Sequence, residues 1–181
     1  YDADIPICAT SAFVFTTPER AKDMKQKPVY ILGHTQTTIR PRSLWHTLEE
    51  SEEGAARTGR LYQEAAGISV NDLSFENMYD GYGMFHLIHI EGLGYAGLKQ
   101  GDGLDFFEYD DISNEGPHPI SPSGGNIGSG RTRFWLHVDT MQQLQGRAGA
   151  RQITGVKPEI GVDGANFPQS FHGLVWGATP D

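Results

Sequence analysis

The stretch Leu73-Ser-Phe-Glu-Asn-Met-Tyr-Asp-Gly-Tyr-Gly-Met-Phe-His-Leu-Ile-His-Ile-Glu-Gly-Leu-Gly94 decides the class of fold. Its first six residues are strand-like, and Gly83 to Leu93 has apolar residues at helical spacing before Gly94, which can end a helix. The four residues Tyr79-Asp-Gly-Tyr82 lie at the junction of strand and helix, where α/β folds place active-site residues. The stretch therefore predicts a strand, a candidate site and a helix, in that order.

The same alternation continues on both sides of this stretch. Apolar runs bounded by turn residues predict strands, and runs with helical apolar spacing predict helices. The predicted strands are Ser11–Thr16, Val29–Leu32, Arg151–Val162 and Phe171–Trp176, and we expect the first of them to be buried. The predicted helices are Pro18–Lys25, Ala55–Ala66 and Arg131–Gln145. We expect a solvated irregular loop at residues 33–55, and a long loop of the functional kind, or a disordered one, at residues 96–130. Strands that alternate with helices indicate the α/β class.

The composition is that of a globular domain with many turns. The chain has 181 residues, of which 38% are hydrophobic and 20% charged, with 23 Gly and 10 Pro. Its formal net charge of −9 argues against a large basic face for nucleic acid or an anionic membrane. No apolar run approaches the ~18 residues that a membrane-spanning helix needs. We therefore expect no nucleic-acid partner and no membrane span.

The single cysteine and the opening residues bear on the cellular setting. Cys8 alone can form neither an internal disulfide nor a CxxC metal site, so a cytoplasmic location fits. We expect its thiol to be buried rather than to act as a nucleophile. The opening Tyr1-Asp-Ala-Asp-Ile5 is no signal peptide, and we expect more chain before it.

A glycine-rich segment, Gly125-Asn-Ile-Gly-Ser-Gly-Arg-Thr132, nearly matches the phosphate-binding pattern GxxxxGK[ST]. Arginine stands where lysine belongs, and the proline-rich residues 117–123 before it cannot form a central strand, so nucleotide hydrolysis is disfavoured. The glycines would still let the backbone approach a ligand closely. The helix that follows could direct its N–H groups at an anion or a developing oxyanion. A plain flexible loop is the alternative.

No metal site is predicted. His86 and His89 have a spacing that could bind a metal on a helix, but apolar residues lie between them and no third ligand is evident. The acidic residues at 105–111 lack the glycine and terminal glutamate of a calcium-binding loop. We expect a packed or surface histidine pair and a solvated acidic loop instead.

Taken in order, several segments resemble the C-terminal half of the thiolase superfamily, most closely its sterol-carrier-protein-like and lipid-transfer-like branch. The first is Ala9–Ala21, which resembles the strand and helix after the domain crossover. The next are Asn77–Tyr82, where that branch reads His-Asp-Cys-Phe, and Ile90–Gly94. The last two are Ser121–Gly130, similar to the family's Gly-Gly, four residues, Gly-His-Pro, and Gln143–Gln152, similar to Gln-Leu-Arg-Gly-x-Ala-Gly-x-Arg-Gln. Nearly the whole chain is covered by this ordered set.

The resemblance implies one α/β domain over residues 1–181, which would be half of the five-layer thiolase fold. It implies a mixed five-stranded sheet with helices on both faces and a long active-site loop at about residues 96–130. The nucleophilic cysteine of thiolases belongs to the N-terminal half. We therefore expect that half to be a cleaved segment or a separate chain.

Departures from the family's motifs set the expected chemistry. Tyr79 occupies the position of the catalytic-loop His or Asn, Arg131 replaces the His of Gly-His-Pro, and the second catalytic cysteine loop is absent. His172-Gly173 is the nearest feature to that loop. By resemblance, the catalytic candidates are Tyr79, Arg131 and His172, and the substrate-binding candidates are Asp80, Gly124, Gly125, Asn126 and Gly130.

These catalytic candidates favour retro-aldol cleavage of a β-hydroxyacyl-CoA over Claisen condensation or thiolysis. Arg131 could stabilise an oxyanion or a CoA phosphate, but a guanidinium is a poor base. Tyr79, with a reference pKa of about 10, could donate to an oxyanion, or act as a base if Arg131 lowers its pKa. Retro-aldol cleavage needs a base and enolate stabilisation without an acyl-cysteine. A tyrosine at the position of Tyr79 is a feature in which the chain resembles thiolase-like aldolases that act on lipid and steroid side chains.

Two alternatives come from other classes of protein: a non-catalytic lipid or acyl-CoA carrier on the same fold, and a structural subunit that completes a partner's active site. By resemblance, we expect an acyl-CoA substrate and no cofactor other than the coenzyme A of that substrate. We expect a dimer or hetero-oligomer that includes the missing half or a partner subunit. An OB-fold acyl-CoA-binding protein is one candidate partner.

Overall fold

A computed structural model of the chain describes residues 3–38, 47–132, 134–167 and 170–180. In chain order, the helices and strands are α1 (Pro18–Ala21), β1 (Tyr30–Thr38), α2 (Leu48–Ala66), β2 (Phe75–Met78), α3 (Gly83–Leu93), α4 (Gly103–Tyr109), α5 (Gly125–Ser129), α6 (Phe134–Gln145), β3 (Ile160–Phe167) and β4 (Ser170–Gly177). Short 3₁₀ turns lie at Val70–Asp72, Tyr95–Gly97 and Gly149–Arg151. The predicted α/β class is confirmed.

The strands form one mixed sheet in the order β1-β4-β3-β2. β4 pairs antiparallel with both β1 and β3, whereas β2 pairs parallel with β3. A single residue, Ile120, adds a parallel bridge to Glu76 on the outer side of β2. In the described part of the chain, the carboxyl ends of β2 and β3 therefore meet at one edge of a four-stranded sheet.

The predicted fifth strand at residues 11–16 is wrong. The predicted burial of this segment and of Cys8 is also wrong. Residues 11–17 form no regular structure, and the side chains of Val14 and Phe15 are 77% and 73% exposed. A strand needs a neighbour to bond its backbone groups, and no described segment runs beside this one. Cys8, just before it, is also exposed rather than buried.

Helices cover both faces of the sheet, as predicted. On one face, α2 and α3 pack through Tyr62 and Ile90 onto Val162 and Val175 of the central strands. On the other face, α6 packs through Leu144 onto a cluster that includes Phe75 and Trp176. None of the helices described is both long and apolar enough to cross a membrane.

Helix α2 begins seven residues before its predicted start at Ala55. The side chain of Thr47 accepts a hydrogen bond from the backbone of Glu50, whose carboxylate accepts one from the backbone of Thr47. This capping box and the acidic first turn stabilise a helix start. The predicted loop at 33–55 is therefore wrong for residues 33–38, which continue β1, and for 48–55; residues 39–46 lie outside the described part.

The segment 96–130 is folded rather than one long open loop. It contains α4 and α5, and its residues 119–121 bond to the backbone of Glu76 in β2. The segment therefore delivers the glycines at 124–130 to the edge where β2 ends.

Candidate active site

Tyr79 follows β2 directly, and a carboxylate from the start of the chain connects it to Arg131. The Tyr79 hydroxyl donates a hydrogen bond to Oδ2 of Asp4 at 3.0 Å. Arg131 donates from Nε to Oδ1 of the same carboxylate at 2.7 Å. Asp4 therefore brings together the two residues that the sequence selected as partners.

The segment that carries Asp4 is fixed by backbone hydrogen bonds to both sides of the site. The N–H of Asp4 donates to the carbonyl of Gly81 at 3.1 Å, and the N–H of Arg131 donates to the carbonyl of Ile5 at 2.8 Å. A Cβ atom on Gly81 would lie 2.0 Å from the Tyr79 hydroxyl oxygen. Only glycine at position 81 therefore lets this arrangement form.

Tyr79 and Arg131 differ in burial and in charge. Tyr79 is 1% exposed, whereas the Arg131 side chain is 33% exposed. The hydrogen bond from Arg131 to Asp4 raises the pKa of the guanidinium further, so it stays charged. Arg131 can stabilise negative charge at the surface of the site, while Tyr79 lies beneath it.

Asp80 fixes the glycine-rich segment. Its carboxylate accepts hydrogen bonds from the backbone N–H groups of Asn126 and Ile127 at the start of α5. Gly125 has a φ of +62°, and a Cβ there would lie 1.9 Å from the Asp80 carboxylate. The structure thus places the substrate-binding candidates Asp80, Gly125 and Asn126 together.

The other selected glycines shape the same segment. Gly124 and Gly130 have φ values of +84° and +91°, which favour glycine. Gly130 packs against Ile7, where a Cβ would lie 2.8 Å from a side-chain carbon. These glycines keep the segment close to the residues that hold Asp4.

A buried polar network supports this segment from below. Ser123 donates to the side-chain oxygen of Asn77 at 2.7 Å and accepts from the N–H of Gly125 at 3.0 Å. The Asn77 amide donates to Asp139 at 3.3 Å, and Arg151 donates to Asp139 at 3.0 Å. Burial raises the pKa of Asp139 more than Arg151 lowers it. The motif at 143–152 therefore helps to hold the site in place through Arg151.

His172 lies near the same edge but is not joined to Tyr79 by any described hydrogen bond. It is an exposed residue of β4, opposite Ala165 in the strand register. The next residue, Gly173, pairs with Gly164, whose carbonyl accepts from the N–H of Tyr79 at 2.8 Å. Its catalytic role stays a prediction.

The two histidines of α3 are packed in the interior. Nε2 of His86 lies 2.9 Å from Oε1 of Glu76. Burial lowers the pKa of His86, but the charge and hydrogen bond of Glu76 outweigh it, so the pKa is raised. Burial instead lowers the pKa of His89 well below its usual value. Within the described ranges, no three His, Cys, Asp or Glu side chains meet in a group that could hold a metal ion.

Sequence reasoning missed a second buried carboxylate, Asp163 of β3. Its Oδ1 lies 2.8 Å from Nδ1 of His137, in the first turn of α6, and its Oδ2 accepts a hydrogen bond from the indole of Trp176 at 2.8 Å. Asp163 lies one residue beyond the strand predicted at Arg151–Val162, so that prediction did not include it. Its partner His137 had no motif around it.

A cleft of about 410 Å³ between α2 and α3 has a different character. Its lining includes the glutamates at 49, 52, 53 and 91. Such a surface repels the phosphates of coenzyme A. We therefore place the candidate site at Tyr79 and not in this cleft.

Comparison with known proteins identifies the family. A family described as thiolase C-terminal domain-like matches residues 41–164, which is more than half of the chain. The chain belongs to this family, and its relatives place it in the sterol-carrier-protein branch. The resemblance found in the sequence is confirmed.

Two curated relatives show how far the likeness extends. A 17-hydroxy-3-oxo-4-pregnene-20-carboxyl-CoA lyase of Mycobacterium tuberculosis is 27% identical over 175 residues, which cover 92% of this chain and 43% of the lyase. Sterol carrier protein 2 of Bos taurus is 30% identical over 174 residues, which cover 88% of this chain and 30% of that protein. The chain thus spans less than half the length of either relative.

A solved structure shares the fold. The structure titled "Ltp2-ChsH2(DUF35) aldolase" superposes with a TM-score of 0.78 at 19% identity, covering 88% of this chain and 42% of that one. At this identity, the likeness supports the fold alone.

Proposed function

We propose that this chain is the C-terminal half of an enzyme that cleaves a β-hydroxyacyl-CoA by retro-aldol chemistry. The observation that carries the proposal is the Tyr79–Asp4–Arg131 arrangement. It combines a phenol, a carboxylate that can receive its proton, and a fixed positive charge. The likeness to a steroid CoA lyase supports the same reaction type.

In this reaction, the Tyr79 oxygen takes the proton of the substrate's β-hydroxyl while its own proton passes to Asp4. The O–H electron pair forms the new carbonyl, the Cα–Cβ bond breaks, and the electrons move into the thioester as an enolate. Arg131 offsets the negative charge that develops there. Because Tyr79 is only 1% exposed, groups around it have to move when substrate binds.

Arg131 is not the base that thiolysis and Claisen condensation need. Those reactions need a base to remove a proton beside the thioester. A guanidinium that is hydrogen-bonded to Asp4 keeps its proton, so it cannot be that base. For retro-aldol cleavage, the guanidinium of Arg131 has only to supply a positive charge near the enolate.

A carrier of lipid or acyl-CoA is the second candidate function. The buried state of Tyr79 and its hydrogen bond to Asp4 favour it, since a carrier needs no accessible acid or base. The exposed apolar residues Val14 and Phe15 also fit lipid contact. Turnover decides between the two functions.

The test compares Tyr79→Phe with Tyr95→Phe, each in a protein supplied with the missing half. Tyr95 is a matched control because its buried hydroxyl donates only to the carbonyl of Pro119 among the described contacts. We expect Tyr79→Phe to lose ~10²- to 10⁴-fold in turnover of a β-hydroxyacyl-CoA, with little change in Tm. Tyr95→Phe should keep its turnover.

Two other outcomes contradict the proposal. Full activity of Tyr79→Phe on a hydroxyacyl-CoA or a ketoacyl-CoA would show that the assigned role is wrong. If the parent binds acyl-CoA but turns over neither substrate, the carrier function replaces the enzyme.

A further inference from the structure

The pair formed by His137 and Asp163 has the geometry of a proton-transfer dyad. Asp163 is fully buried, and the indole N–H of Trp176 fixes one of its oxygens, so the other stays directed at His137. Nδ1 of His137 and Oδ1 of Asp163 lie 2.8 Å apart and form an ion pair when the imidazole is protonated. The His137 side chain is 23% exposed, so the ring also reaches the surface.

The dyad lies beside Tyr79. Asp163 pairs with Asn77 across the parallel strands, two residues before Tyr79. With strands about 4.8 Å apart and a rise of about 3.3 Å per residue, the Cα atoms of Asp163 and Tyr79 are about 8 Å apart. Leu136, the neighbour of His137, packs directly on Tyr79. The two groups therefore belong to the same region of the sheet edge.

The approach to His137 is apolar and open. The ring of Phe134 is 58% exposed and lies 6.4 Å from the His137 ring, centroid to centroid. Phe13 packs 6.1 Å from Phe134 on the same surface. Such a surface suits the acyl part of a thioester more than its phosphates.

The charges around the dyad favour the imidazolium. Burial lowers the pKa of His137, but the hydrogen-bonding and charge of Asp163 outweigh it, and the net pKa is raised. Trp176 carries no charge. Tyr62 of α2 lies on the opposite face of the sheet, and burial followed by the charge of Asp163 raises its pKa, so it is neutral. In the described residues, Asp163 is thus the charge that acts on His137.

We propose that His137, paired with Asp163, is the acid that protonates the α-carbon of the enolate, and that the substrates are acyl thioesters with a hydrogen at this carbon. The inference rests on the proposed retro-aldol function. Tyr79 takes the hydroxyl proton, the Cα–Cβ bond breaks, and Nε2–H of His137 delivers a proton to the α-carbon. The products are a carbonyl compound and a shortened acyl-CoA. Solvent then returns a proton to His137, so no oxidant or reductant is needed.

The first experiment measures exchange of the α-hydrogen of the product acyl-CoA with D₂O by mass spectrometry, again with the missing half supplied. The variant is His137→Gln and the control is His34→Gln, since His34 is an exposed residue of β1. We expect a ~10²- to 10⁴-fold loss of the exchange rate in His137→Gln and none in the control. Added imidazole should restore exchange in His137→Ala, a result that a structural role would not give.

Exchange and cleavage are measured separately, so the two proposals can fail separately. If the parent exchanges the α-hydrogen but does not cleave a hydroxyacyl-CoA, the retro-aldol function fails and the role of His137 stands. If His137→Gln keeps exchange and cleavage, the role of His137 is wrong and the retro-aldol function stands. A parent that does neither overturns both.

The second experiment tests the pairing without substrate. NMR titration should give a lower His137 pKa in Asp163→Asn than in the parent, because the carboxylate charge is gone. The alkaline limb of the exchange-rate profile should move to lower pH by the same amount. If the alkaline limb of the exchange-rate profile lies at the same pH in Asp163→Asn as in the parent, His137 is not the acid.

Discussion

Four buried carboxylates around β2 and β3 each meet a basic partner. The pairs are Asp4 with Arg131, Glu76 with His86, Asp139 with Arg151, and Asp163 with His137. Burying a charged group without a partner is costly, so the loss of one member of such a pair should destabilise the fold. Two of these pairs lie at the proposed site and two support it.

The Glu76–His86 pair gives stability a pH dependence. The pKa of His86 is raised in the folded state, so its contribution is complete below its unfolded value and is lost as pH rises through the folded value. We expect the free energy of unfolding of the parent to fall, relative to His86→Gln, between about pH 5 and about pH 9. Urea unfolding at both pH values measures this difference.

One of the other histidines is coupled to this comparison. The raised pKa of His137 acts in the same direction as that of His86 and is present in parent and variant. The lowered pKa of His89 acts in the opposite direction, and the part of it that the charge of His86 causes is removed in His86→Gln. A gap between parent and His86→Gln that is equal at both pH values would contradict the assigned pairing.

At the scale of elements, α2 and α3 cross with their backbones in close contact. A Cβ on Gly59 would lie 2.3 Å from the carbonyl oxygen of Gly92, and a Cβ on Gly92 would lie 2.5 Å from Ala55. These glycines let α2 and α3 pack together over the face of the sheet opposite α6. The crossing therefore depends on residue size rather than on a hydrogen bond.

Gly92→Ala should separate the two helices, and Gly128→Ala is the matched control. Both are helical glycines, so alanine gains about 1 kcal/mol of helix propensity at each. Gly128 has open space around it, whereas position 92 does not. We expect Gly92→Ala to be about 1–3 kcal/mol less stable than Gly128→Ala in urea unfolding. Equal stability would mean that the crossing relaxes freely.

Sequence alone predicted the elements whose signals are local. Helix α3 has its predicted bounds because Gly94, with a φ of +75°, ends it. The predicted strand at 11–16 is wrong because a strand depends on its neighbours, which no local pattern shows. Apolar composition therefore identified α3 correctly and this segment incorrectly.

The site was predicted in part for the same reason. Tyr79 and Arg131 stand at motif positions, so the sequence could select them. Asp4 precedes Tyr79 by 75 residues and has no motif, and Asp163 meets His137 only when β3 packs on α6. Contacts between distant residues needed the fold.

At the scale of the whole molecule, apolar side chains gather on one exposed surface. Phe13 lies 6.5 Å from Phe15 and 6.1 Å from Phe134 by ring centroids, and Val14 lies between the first two in sequence. We call this group the aromatic surface. Exposed apolar patches of this kind commonly bind another protein chain. We propose that the missing half covers the part of it at residues 13–15, which leaves Phe134 open beside His137.

The chain by itself should then self-associate through the aromatic surface. We expect gel filtration to give a size above 19.9 kDa, and Phe15→Ser to reduce it. Leu104→Ser is the control because Leu104 is 69% exposed on α4, outside this surface. A monomeric parent, or equal effects of the two substitutions, would contradict the prediction.

The attachment of Asp4 has a consequence for how the chain can be altered. The mostly exposed residues 7–17 act as a tether that sets the effective concentration of Asp4 at Tyr79, and such concentrations reach the millimolar range for short linkers. Each doubling of a flexible tether costs only about 0.6 kcal/mol, so insertions here should be tolerated. A proteolytic cut in the same residues would leave the sheet and helices intact but remove this covalent link, so the effective concentration of Asp4 at Tyr79 would fall. One peptide bond far from Tyr79 in sequence would then weaken the supply of a proton acceptor to the phenol.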